Sequence, residues 1–368
     1  MISFKVLNKE NNIIDVTNEH IEIKFAIDEL YSKFKTDKNV LHLFFAGGYD
    51  FSFELNYDLS SYDKVFLDFS GADYIFRYFD VDKLVNKINA NELYIITKNP
   101  IEFDNRLYID PLMFRVADLD FTYSFDKNKS NYFYFGGHAR YHRLKFLSLL
   151  KELNSLNKLS WSQRALPEIN SLIGGVDYLR DLIPYEYKDS YTQLSIIPEL
   201  PKVLDIPLMD NSEYHGTKDE NWITNNAGVK ANLEFQSTHW AEIISETIYY
   251  FSINPVKSDN TFLYFSEKTF KPLSLGYPFI GLLLPNSFKK IKEFGFKLFD
   301  EIFDYSFDSI VNDDDRMKAI INQIESIDIE NKIINNKESI LEKHMFNRNR
   351  FKEFKKETIA KYEKSLLH

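Results

Sequence analysis

Two stretches of the chain combine residue types and spacings suited to holding an anion. In Gly136-Gly137-His138-Ala139-Arg140-Tyr141-His142-Arg143, a glycine pair follows the apolar run Tyr132 to Phe135, and Arg140 and Arg143 stand three residues apart. At a strand-to-helix transition the first backbone N–H groups have no helical partner, and the positive end of the helix dipole faces outward. Arginine forks match phosphate oxygens two at a time. Two cations at a helix start repel the dipole unless an anion arrives. The competing reading pairs both arginines with surface carboxylates.

The second stretch is Ser266-Glu267-Lys268-Thr269-Phe270-Lys271-Pro272-Leu273. Ser266 suits an N-cap, with Thr269 three positions on. Glu267 falls in the first turn, where a carboxylate is favoured, and Lys268 and Lys271 are not helped by the dipole. Pro272 cannot donate to the carbonyl of Lys268, so the helix is expected to be locally perturbed. A perturbed helix start carrying cations suits phosphate and sugar together. Lysine would meet diphosphate charge, and glutamate would accept from sugar hydroxyls.

Other chemistries find little support. Asp80/Asp82, Asp118/Asp120 and Asp313/Asp315 are Asp-x-Asp pairs of the kind that hold metals. Among 55 acidic residues a few such pairs arise by chance. The eight histidines form no H-E-x-x-H motif, so no zinc site is expected. Neither a phosphate-loop motif nor a G-x-S-x-G elbow occurs. With no cysteine there are no disulfides, thiolate metal sites or cysteine nucleophiles.

The elements that position these residues read as α/β. Val40 to Ala46, Val65 to Phe69 and Leu93 to Thr97 are short apolar runs, with a helix expected over Val81 to Ile88. Such runs separated by helices indicate parallel strands covered on both faces. A second unit starts near Asn131. Its strand Tyr132 to Phe135 precedes a helix with Leu144, Leu147, Leu150 and Leu153 on one face. Trp240, Ile243, Ile244, Thr247, Ile248 and Phe251 recur at helical spacing and predict an amphipathic helix. Phe262 to Phe265 reads as a strand, Glu267 to Leu275 as a helix and Tyr277 to Leu284 as a buried strand. Met317, Ile320, Ile321, Ile324 and Ile327 stripe a further helix. Residues 160–238 hold five of the 11 prolines and are expected to form an irregular insertion or lid.

The 368 residues allow two domains. No apolar run reaches the ~18 residues of a membrane span, and the first residues do not form a signal peptide, so a cytoplasmic protein without membrane insertion is expected. The net charge of −10 argues against a general nucleic-acid coat. Residues 332–368 differ, with ten Lys/Arg against five Glu, a balance of +5. That segment reads as a helix whose apolar anchors Ile340, Met345, Phe351, Phe354, Ile359 and Tyr362 pack on the body. Its cations form either a solvated face or a phosphate-facing surface. The 16% aromatic content falls largely at core positions.

Taken in order, Arg140-Tyr141-His142-Arg143, the Ser-Glu-Lys-Thr-Phe-Lys-Pro-Leu block and Gly276-Tyr277-Pro278-Phe279-Ile280 resemble a group of glycosyltransferases from phages and large viruses. Phe294 to Phe299, Phe303 to Asp308 and Arg316 follow in the same order. The C-terminal half of that group is similar to the donor-binding domain of fucosyltransferase-type enzymes, and the resemblance covers about residues 131–330. It implies a GT-B-like α/β fold: two Rossmann-like domains facing a cleft, with a C-terminal helix packing back on the body. Residues 1–130 would bind the acceptor. Residues 131–331, with the irregular insertion 160–238, would bind the nucleotide-sugar donor, and 332–368 would be the basic helix. Arg140 and Arg143 would meet the diphosphate, Glu267 the ribose, and Lys268 and Lys271 the phosphates. Glu246, expected on the helix before the block, would line the donor pocket or pair with a lysine. Asp304, Asp308 and Arg316 read as an internal ion-pair network.

The implied reaction moves a sugar from a nucleotide sugar to an acceptor, either a hydroxymethylated base in phage DNA or a cell-surface glycan. Cofactor and metal are not expected, because Arg, Lys and helix N-termini can stabilise the leaving diphosphate. An inverting enzyme needs a general base from the first domain. Asp68 and Asp73, at the end of the second strand, and Asp50, after Gly47-Gly48, stand where α/β ligands gather. A nucleotide-sugar epimerase and a non-catalytic interaction protein of the same fold are the alternatives.

Overall fold

The structure, a computed structural model, describes residues 2–7, 13–15, 39–45, 58–68, 88–97, 106–108, 121–136, 140–163, 194–199, 233, 235–246, 249 and 263–367. The chain is α/β, with parallel sheets and helices, and divides into two compact units. Unit 1 comprises Met1–Arg115, Asn254–Ser266 and Glu353–His368; unit 2 comprises Val116–Ile253 and Glu267–Lys352. Unit 1 therefore takes in two segments from later in the chain.

Unit 1 holds a six-stranded sheet. Its strands are β1 (Ile2–Leu7), β2 (Ile13–Asp15), β3 (Val40–Phe45), β4 (Lys64–Asp68), β5 (Leu93–Thr97) and β6 (Arg106–Tyr108). The order is β2-β1-β3-β4-β5-β6, with only β2 antiparallel. Val40, Leu41, Leu43, Val65, Phe66, Leu67, Ile95 and Ile96 are buried. Both faces of these strands are covered, which is why they read as unbroken apolar runs. The register aligns His42, Phe66 and Tyr94, and their rings stack at 5.9 and 5.0 Å. The end of the last helix covers this face. Tyr362 lies 5.3 Å from Phe66, and the buried Lys64 donates to the Ser365 carbonyl at 2.7 Å while pairing with Glu92 at 3.1 Å. From β1 through β3, β4 and β5 to β6, each parallel strand adds on the same side.

Unit 2 is built on a four-stranded parallel sheet. β7 (Ser130–Phe135) leads through α1 (Tyr141–Glu152) to β8 (Leu159–Ser162), and β9 (His239–Ser245) leads through α2 (Glu267–Leu275) to β10 (Phe279–Leu282). The order is β10-β9-β7-β8. Then come α3 (Ser287–Glu293), α4 (Asp313–Ser326), α5 (Ile329–Asn335) and α6 (Lys337–Leu367), whose residues from Glu353 on belong to unit 1. Tyr134 packs against Phe146 of α1, so α1 covers one face. Phe133 points to the other, against Phe235, His239 and Tyr277.

Several expectations need correction. The helix expected from Trp240 is strand β9, and all seven of its residues are buried. A fully buried strand has no polar face, so its apolar residues can mimic helical spacing. Residues 263–266 are not a strand. Leu153 is half-exposed instead of continuing the Leu144-Leu147-Leu150 face, because α1 ends at Glu152 and Asn154 turns with φ 57°. Residues 160–162, expected to be irregular, belong to β8, and most of the insertion lies outside the described residues. The expected helix over Val81 to Ile88 lies outside them almost entirely. On α6, Ile340, His344, Asn347, Phe351, Phe354, Thr358 and Tyr362 form one buried stripe, while Lys352, Lys356, Lys361 and Lys364 are exposed beside Glu353 and Glu357. Met345, expected as an anchor, is exposed. Among the described residues no helix is long and apolar enough to cross a membrane.

Candidate functional site

In a parallel sheet, ligands collect beyond the carboxyl ends of the strands, where two neighbours send their connections in opposite directions. Unit 2 has that arrangement between β7 and β9. The chain leaves β7 toward β8 on one side, then returns through β9 to the other side. The described parallel strands of unit 1 show no such reversal.

Beyond β7, Gly136 donates its N–H to the Ser162 carbonyl at 2.9 Å. A Cβ here would lie 1.7 Å from Oε1 of Gln163, so that side chain would have to move, and 3.2 Å from the Ser162 carbonyl oxygen. Arg140 takes the N-cap position of α1 in an extended conformation, without a side-chain capping bond, and the first turn contains no acid. The half-buried Arg140 therefore stands at a helix start whose dipole favours an anion.

Arg143 is used differently. It is 2% exposed, and its guanidinium donates to carbonyls at both strand ends. Nη1 reaches Gly136 O at 2.6 Å, while Nη2 reaches Ser245 O at 3.1 Å and Glu246 O at 3.2 Å. Nε adds a bond to Ser245 Oγ at 3.3 Å. This one side chain bridges the switch point. His142 supports it, with Nε2 3.0 Å from the same Glu246 carbonyl. A carbonyl only accepts, so Nε2 carries the proton. Burial holds the His142 imidazole well below its usual pKa, and the charges of Arg143 and Arg140 push it the same way. The ring stacks on Tyr249 at 5.4 Å, and the Arg316 guanidinium lies 4.5 Å from the Tyr249 ring centre.

Glu246 follows β9 directly, not a helix. Its fully buried Oε1 accepts from Thr269 Oγ1 at 2.5 Å, so the carboxylate meets the first turn of α2. Ser266 is buried just before that helix, Glu267 opens it, and Lys268 and Lys271 are half-buried on it. α2 runs through Pro272 without breaking. Glu242 lies on β9 toward the same helix. Burial raises its pKa to about 7 against the attraction of Lys271 and a 3.3 Å bond from Gln236 Nε2.

Asp68 ends β4 in unit 1, and Asp50 and Asp73 lie outside the described residues, as do Asp80, Asp82, Asp118 and Asp120. Asp313 is buried in an ion pair with Arg316 at 2.7 Å. Asp304 caps the short 3-10 helix Tyr305–Ser309, and Asp308 accepts from the N–H groups of Phe288 and Lys289 at the start of α3. The carboxylate directly paired with Arg316 is therefore that of Asp313, one of the Asp-x-Asp residues. Sequence reasoning did not single out Glu242, His142 or Tyr249. A strand reading of β9 would have placed Glu242 and Glu246 toward one face, since they are four residues apart. Among the described residues no group of three or more His, Asp or Glu side chains is gathered to hold a metal ion. Compared with protein-family models, curated proteins and solved structures, the chain finds no match.

Proposed function

We propose that the chain is a glycosyltransferase of GT-B type whose second unit binds a nucleotide-diphosphate sugar. One observation carries this reading. Arg140 at the start of α1, and Lys268 and Lys271 in the first half of α2, belong to the two helices leaving the strands that flank the switch point. The first unit would bind the acceptor, either a hydroxymethylated base in phage DNA or a glycan, in the host cytoplasm. The bond between the anomeric carbon and the diphosphate oxygen breaks through an oxocarbenium-like state, as in glycoside hydrolysis. The three cations and the two helix starts stabilise the departing diphosphate, so the reaction does not require a metal. The acceptor oxygen forms the new bond and gives its proton to an aspartate of the first unit. Asp68, Asp73 and Asp50 are the candidates.

The test is a thermal-shift panel of UDP, GDP, ADP and CMP, with and without Mg²⁺, on the native chain and on Lys268→Ala. A nucleotide at 100 times its Kd stabilises by about 2.7 kcal/mol. The expected result is a shift with one nucleotide, independent of Mg²⁺ and lost in the variant. Absence of any shift would overturn the reading in favour of a non-catalytic protein of this fold.

A further inference from the structure

The residues around the switch point fall into two groups by burial. Arg140, Lys268 and Lys271 are half-buried, with Nε and Nη1 of Arg140 themselves buried. Arg143, Glu246 and Thr269 are 2%, 0% and 0% exposed. The buried three form a continuous hydrogen-bonded path. Arg143 ties Gly136 O at the end of β7 to Glu246 O beyond β9, and the Glu246 carboxylate accepts from Thr269 in the first turn of α2. His142 donates to the same Glu246 carbonyl from α1. The path therefore joins the start of α1 to the start of α2, the two places where the half-buried cations stand.

We infer that Arg143, Glu246 and Thr269 are positioning residues that hold the two helix starts in register, while Arg140, Lys268 and Lys271 touch the ligand. The inference rests on the nucleotide-binding reading above. A guanidinium committed to three carbonyls has little left for a phosphate. The Glu246 carboxylate already occupies the anion-favouring start of α2, which leaves added phosphate charge to the half-buried cations. Thr269 sits between the two lysines in sequence, one residue after Lys268 and two before Lys271. Removing its hydroxyl would release the helix start and displace both ammonium groups. Such a residue costs affinity only through the groups that it places.

A double-mutant cycle separates this from direct contact. Titration calorimetry would use UDP, GDP, ADP, CDP and inorganic pyrophosphate on the native chain, Thr269→Val, Lys268→Ala/Lys271→Ala and the triple variant. Thr269→Val should weaken the best-binding diphosphate about tenfold, the scale of a hydrogen bond to a charged group. In the double-lysine background the same substitution should cost less than about twofold. Thr269→Ala, which also removes the hydroxyl, carries the same cycle if the valine variant does not fold, and Thr269→Ser, which keeps it, should bind like the native chain. An equal loss in both backgrounds would make Thr269 a direct contact and overturn the inference. A lower melting temperature with unchanged affinity would overturn it too, by showing a purely structural role. If the native chain binds none of these probes, the nucleotide-binding reading falls first and this inference with it.

Discussion

Glu242 makes the stability of this protein depend on pH in a calculable direction. Glu242 is 6% exposed on β9, and burial raises the pKa of its carboxyl to about 7 from an ordinary value of 4.5. A raised carboxyl holds its proton in the folded chain after the unfolded chain has lost it. Stability from this group is therefore full below pH 4.5 and falls as pH rises toward 7, then levels off. The interval corresponds to about 3 kcal/mol. Glu242→Gln keeps the shape and removes the charge. At pH 4 the variant and native chains should have nearly equal stability. At pH 8 the variant should be more stable by up to about 3 kcal/mol. Urea unfolding at a series of pH values measures the difference, with an unchanged slope showing that compactness is unaltered. A variant less stable than the native chain at pH 8 would refute the reasoning, because it would mean that attraction to Lys271 outweighs desolvation. A difference independent of pH would refute it as well.

Two further substitutions test the frame around the site. Gly276 has φ +58°, and a Cβ there would lie 2.1 Å from the His344 carbonyl oxygen. Gly276→Ala must displace the backbone of α6, and a loss of about 3 kcal/mol is expected from left-handed strain plus overpacking. A loss under about 0.5 kcal/mol in chemical denaturation would contradict that packing. Arg316 is 1% exposed and bonds to Asp313 and to the carbonyls of Tyr249, Leu283, Ile310 and Val311. Arg316→Met leaves Asp313 buried without its cation and should cost about 3–5 kcal/mol. Adding Asp313→Asn should recover part of that loss in the same assay.

Much of the secondary structure in both units was legible because its signals are local. β5 and α2 match their expected bounds, and α4 and α6 follow from apolar stripes. The cations at the starts of α1 and α2 were visible as residue types beside strand ends. β9 was misread because burial on both faces removes the alternation that marks a strand. That error also placed Glu246 on a helix and hid its kinship with Glu242. Arg143 looked like Arg140 in sequence, three residues away and of the same type. Only burial separates them. One faces the strand-end carbonyls, and the other stands at the helix start.

The sequence by itself determined the α/β class, the parallel strands and the helix starts that carry cations. Each depends on contacts among near neighbours or on one face of one element. The tertiary structure decided that β9 lies between β7 and β10, creating the switch point. It also decided that Arg143 would be used on the Glu246 carbonyl, 103 residues away. Asp313 is bound into the network of Arg316, whose guanidinium also reaches the carbonyl of Tyr249, 67 residues from Arg316. Local periodicity carries no record of which distant carbonyl a guanidinium will meet. That choice is made when the sheet assembles, because a buried cation must find acceptors wherever the strand ends bring them.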